Sequence, residues 1–132
     1  MTDDLFAPLG QRRKVSANGI DFEVWESGAG EKFALFLHSF PEHAISWRFQ
    51  APLLASLGYR VWVVNQRGYG GTTTPAEKSA YSLKNLTEDV GALIDAAHAE
   101  KPTTSTTLIA HDWGALVAWT FAARKMRPLE RL

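Results

Sequence analysis

A chain of 132 residues, 45% hydrophobic and 21% charged, is long enough for one domain with a substantial core. Fourteen Lys and Arg balance fourteen Asp and Glu, so no global field recruits nucleic acid or an anionic membrane, and a small-molecule partner is expected. The absence of cysteine excludes disulfides, thiolate chemistry and cysteine-based metal sites.

In chain order, residues 1–12 carry no strong pattern and are expected to be loosely ordered. They show no apolar stretch behind a basic start, and no apolar run approaches the roughly 20 residues of a membrane span. A cytoplasmic location is the expectation. Residues 13–16 and 20–27 read as two strands of a hairpin. Asn18-Gly19 suits the two positive-φ positions of a tight turn, and Ile20, Phe22 and Val24 alternate onto one face.

Three short apolar runs follow, 33–38, 60–65 and 106–111, each bounded by turn residues and without polar alternation. Strands buried on both faces of a parallel sheet read this way. Helices are predicted between and after them: 45–57, stopped by Gly58; 83–99, with Leu86, Val90, Leu93, Ile94 and Ala97 on one stripe; and 113–125. A hairpin followed by β-α-β-α-β-α indicates an α/β fold with a mostly parallel sheet.

The richest segment is Ala110-His111-Asp112-Trp113-Gly114. Small residues two before and two after Asp112 let the chain turn sharply from strand into helix, holding the central side chain out at the sheet top. A serine there attacks acyl carbon. A carboxylate instead displaces at a tetrahedral carbon, such as that of an epoxide or an alkyl halide, and leaves an ester. The bland alternative is that Asp112 only caps the helix. His38-Ser39-Phe40-Pro41 after the first buried strand can turn the Phe40 N–H toward the elbow, opposite that of Trp113, as a two-donor oxyanion hole. Arg67-Gly68-Tyr69-Gly70 after the second is a Gly-rich loop, and no phosphate-loop pattern occurs in the chain.

In this order the three segments resemble the α/β-hydrolase superfamily, specifically its epoxide hydrolase branch. His38-Ser39-Phe40-Pro41-Glu42 with Trp47-Arg48 is similar to H-G-F-P-E…W-R, Asn65-Gln66-Arg67-Gly68-Tyr69-Gly70 to D-x-R-G-[YF]-G, and Ala110 to Gly114 to G-H-D-W-G. The resemblance implies that residues 13–132 are the N-terminal portion of an α/β-hydrolase domain, ending before the lid and the later strands. It implies Asp112 as nucleophile, backbone amides of Phe40 and Trp113 as oxyanion hole, and His38, Pro41, Arg67, His111 and Gly114 as motif support. It implies no metal and no organic cofactor, and an epoxide substrate opened to a diol. A haloalkane or haloacid dehalogenase-like hydrolase is the second reading, and a non-catalytic remnant acting as an interaction module the third.

Three departures stand out. Ser39 replaces Gly and is expected to reshape the oxyanion turn. Asn65 replaces Asp, which removes an ionic contact expected for Arg67. Ala110 replaces Gly and should still fit. The family's acid and base histidine belong to its later segments, so the chain alone is expected to lack turnover. The strand at 106–111 is expected to offer an exposed apolar edge, with Val117, Trp119 and Phe121 short of cover, favouring self-association.

Overall fold

The computed structural model describes residues 5–132. Five strands form one mixed sheet: β1 (Gln11–Ala17), β2 (Ile20–Ser27), β3 (Lys32–Leu37), β4 (Tyr59–Val64) and β5 (Ser105–Ala110), in the spatial order β1-β2-β4-β3-β5. The hairpin is antiparallel, with Val15 opposite Phe22, and Asn18 and Gly19 take φ of 52° and 74°, as their turn requires. β2 also pairs antiparallel with β4, whereas β3 runs parallel to both β4 and β5.

The runs at 33–38 and 60–65 are buried on both faces, as read from their lack of alternation; in the third, Thr106 to Leu108 are buried, but Ile109 and Ala110 are half-buried and His111 is exposed. Phe33, Leu35 and Leu37 of β3 join Phe22, Val24, Trp62 and Val64 in one core. Ala34 and Phe36 turn the other way, onto Trp25, Val61 and Val63. The first face is covered by helices α2 (Leu83–Glu100) and α3 (Trp113–Ala123), and the expected stripe of Leu86, Val90, Leu93, Ile94 and Ala97 is its inward side. The second is covered by α1 (Gln50–Ser56), through Ala51, and by a 3-10 turn at Ala44–Trp47.

That second layer corrects the single helix expected at 45–57. Pro52 lacks an N–H and its ring collides with the carbonyl four residues earlier, so one helix cannot run from 45 to 57. The chain makes a 3-10 turn, breaks, and restarts at Gln50. Gly58 takes φ 91° directly after the helix, as its C-terminal role predicts.

The loose start expected for residues 1–12 gives way from Phe6 onward. The Phe6 ring stacks on Trp25 at 4.8 Å, Leu9 is fully buried, and β1 begins at Gln11. Residues 1–4 lie outside the described residues. The edge of β5 is also less open than expected: Leu108 N–H donates to Arg131 O and Glu130 N–H to Thr106 O, so residues 130–131 pair along part of it. On α3, Val117 and Phe121 are fully buried, while Trp113, Leu116 and Trp119 are exposed. No helix among the described residues is long and apolar enough to cross a membrane.

Candidate active site

Between β5 and α3 the backbone turns at Asp112, with φ 54° and ψ −115°. That conformation costs a non-glycine residue on the order of 1–3 kcal/mol, so the surrounding structure must impose it. Gly114 shows how. A Cβ at this position would lie 2.5 Å from His38 O and 2.6 Å from Leu37 O, so only glycine lets the helix start pack against the turn after β3. The Asp112 side chain makes no capping hydrogen bond to the helix it precedes, which removes the bland reading. Its carbonyl accepts from Leu116 N–H instead, and that of His111 accepts from Gly114 N–H.

Asp112 lines a cleft of about 440 Å³ together with Phe40, Gln66, Arg67, Tyr69, Tyr81, Leu86 and Trp113. Residues from three separate sequence segments thereby meet at one cleft. Neither the Phe40 nor the Trp113 N–H has a hydrogen-bond acceptor among the described residues. The Phe40–Pro41 peptide is cis.

The four histidines have other places, and none lines this cleft among the described residues. His38, at the start of the turn after β3, is 1% exposed, with Nδ1 2.9 Å from Ser39 O and Nε2 accepting from the Gln66 N–H at 3.0 Å. Burial lowers its pKa below the ordinary histidine value. His43 caps the 3-10 turn and stacks near Phe6, His98 meets Thr103, and His111 is exposed.

Two of the departures resolve differently from expectation. Arg67 keeps a full ionic partner: its Nε and Nη2 donate to the two carboxylate oxygens of Asp89, both at 2.7 Å, and Nη1 donates to Ala80 O. The residue at position 65 is not involved. Asn65 instead accepts from Ala44 N–H at 2.7 Å and donates to Glu23 Oε1 at 2.8 Å, a bond an ionised aspartate could not make. Glu23 also accepts from the Gly71 N–H and from Arg12. Burial pushes the Glu23 carboxyl up, but these donors outweigh it and hold it below the usual carboxylate range. Ser39, where glycine was expected, is not among the positive-φ residues, and its Oγ donates to Glu42 Oε1 at 2.5 Å. The turn accepts it without backbone strain.

Sequence reasoning did not single out Asp89, Gln66, Leu86, Tyr69 or Tyr81 as parts of the site. Asp89 left a signal, since it sits among the inward residues of α2, where an unpaired carboxylate is not tolerated. Burial raises the pKa of Tyr69, and the Tyr81 hydroxyl donates to Pro75 O at 2.7 Å.

The alpha/beta hydrolase fold family profile matches residues 35–130, which hold the whole of this site. The chain belongs to the alpha/beta hydrolase fold family. Epoxide hydrolase A of Mycobacterium tuberculosis is 43% identical over 108 residues, which make up 81% of this chain and 32% of that protein. The epoxide hydrolase of Caballeronia sordidicola is 39% identical over 128 residues, 97% of this chain and 36% of that protein. Among solved structures, potato (Solanum tuberosum) epoxide hydrolase I superposes with a TM-score of 0.83 at 36% identity, covering 91% of this chain and 37% of that one. This alpha/beta hydrolase chain thus spans about a third of the length of the relatives it matches.

Proposed function

We propose that this alpha/beta hydrolase chain is the nucleophile-bearing part of an epoxide hydrolase, with Asp112 attacking an oxirane carbon. The observation that carries the reading is Asp112 itself: strained, free of any capping role, and lining a mostly apolar cleft between Phe40 and Trp113. One Asp112 carboxylate oxygen forms a bond to the less hindered ring carbon as that carbon's bond to the ring oxygen breaks. The ring oxygen leaves as an alkoxide and takes a proton from water, giving a hydroxyalkyl ester on Asp112. Release of the diol requires hydroxide attack on the ester carbonyl, with the Phe40 and Trp113 amides holding the oxyanion.

With no histidine in the cleft among the described residues, the second step lacks a general base. The ester formed by this chain alone therefore accumulates. Incubation with styrene oxide followed by intact-mass measurement tests this. The expected result is one added epoxide mass, mapped to Asp112 and absent in Asp112→Asn. A folded chain that gains no mass, or gains it elsewhere, overturns the proposal. A primary alkyl bromide run in parallel separates the dehalogenase reading: faster alkylation by the bromide, with bromide release, would favour it.

A further inference from the structure

Phe40 N–H and Ser39 C=O are two ends of one planar peptide unit, so whatever holds the carbonyl aims the amide the opposite way. Phe40 is 65% exposed and its ring meets the Tyr69 edge at 6.5 Å, so side-chain packing holds the amide weakly. Two contacts hold the Ser39 carbonyl: the Glu42 N–H, which donates to it at 3.0 Å, and the His38 ring. Its Nδ1 lies 2.9 Å from Ser39 O, which can only accept, and its Nε2 lies 3.0 Å from the Gln66 N–H, which can only donate. Both bonds exist together only when the ring is neutral and carries its proton on Nδ1.

We propose that His38, locked in its Nδ1–H tautomer by the Gln66 backbone, is a positioning residue that, alongside the Glu42 N–H on the same carbonyl, aims and polarises the Phe40 N–H. The hydrogen bonds run in one direction, from Gln66 N–H to Nε2 and from Nδ1–H to the Ser39 carbonyl, and each strengthens the next. His38 is held at other points too, at its backbone carbonyl and at its ring. Gln66 Nε2 donates to His38 O at 2.8 Å, the Tyr69 ring meets the imidazole edge-on at 4.5 Å, and Gly114 backs against the same His38 carbonyl. The loop after β4 and the helix start at the elbow thus set the orientation of an amide that neither contains. The role in catalysis rests on the epoxide hydrolase reading above; the tautomer and the aim of the amide do not.

The test uses the whole chain, 15N-labelled. Long-range 15N–1H spectra of the parent should show His38 Nδ1 protonated and Nε2 bare. The reverse tautomer overturns the proposal without any variant. His38→Asn places its amide donor near the Nδ1 position, whereas His38→Gln places it near Nε2, away from Ser39 O. The Phe40 amide resonance should shift and exchange faster in His38→Gln, and return toward the parent in His38→Asn. After styrene oxide labelling and removal of the excess, hydroxide-driven breakdown of the ester at pH 9–10 reads the oxyanion amide. The ratio of breakdown to formation rates should fall about tenfold in His38→Gln, less than the loss of a whole oxyanion donor, and recover in His38→Asn. Equal behaviour of the two variants overturns the relay. A parent that forms no ester defeats the carboxylate-nucleophile reading alone, since the tautomer and the Phe40 resonance still decide the role of His38.

Discussion

Asn65→Asp changes one atom and should act as a pH-dependent destabiliser. Asn65 and Glu23 are 2% and 8% exposed, and the Asn65 amide donates to Glu23 Oε1 across 2.8 Å. Two carboxylates at that separation repel by about 6 kcal/mol at an effective dielectric of about 20. The alternative is for one of them to take a proton, which restores the donor. From an ordinary carboxylate pKa near 4, that costs about 5 kcal/mol at pH 8 and about 1.5 at pH 5. Arg12, already on Glu23, offsets part of either cost, leaving about 4 kcal/mol at pH 8 and about 1 at pH 5. A folded-state pKa raised above its unfolded value contributes least once pH passes the folded value, so the sign requires the larger loss at high pH. Urea denaturation of parent and variant at pH 5 and pH 8 measures both numbers. A loss under 1 kcal/mol at pH 8, or one that does not change with pH, would refute the reasoning.

Other outcomes follow from the same structure. Arg60 is 4% exposed and donates to Glu26, Glu100 and Ala97 O while lying over Trp62, so Arg60→Met strands two carboxylates on Arg13 alone and should cost about 3 kcal/mol in a urea melt. Gly114→Ala forces a methyl group onto the His38 and Leu37 carbonyls; a loss of about 1–3 kcal/mol and of styrene oxide labelling is expected, and a fully labelled variant would contradict the packing. His38, with its pKa depressed by burial, contributes stability that is complete above about pH 6.5 and declines below it, so the urea midpoint should fall between pH 7 and 5.5, less steeply in His38→Asn. The depressed carboxyls of Glu23 and Glu26 add a second fall below about pH 4.3, as acid reaches their folded pKa values.

Much of the site was readable because its signals are local. A small residue on each side of Asp112 demands a sharp turn, and the positive φ at Asp112 and the close fit of Gly114 are its three-dimensional consequence. The pairing of Arg67 with Asp89 was not readable in the same way. It joins a loop to a helix 22 residues on, and becomes a contact only because α2 packs across one face of the sheet, against β1 and beside α3. The motif pointed to position 65 as the partner, whereas the side chain of Asn65 turns toward β2.

By itself the amino-acid sequence determined the order of strands and helices, the hairpin turn, and a carboxylate at a strand-to-helix elbow, because propensity, periodicity and turn chemistry act over a few residues. Only the tertiary structure decided who meets whom. β4 inserts between β2 and β3, so Asn65 reaches Glu23 and Gln66 reaches His38, across separations that no short-range pattern encodes. Such contacts depend on which strands become neighbours and in what register, and that is settled by burying both faces of the sheet at once.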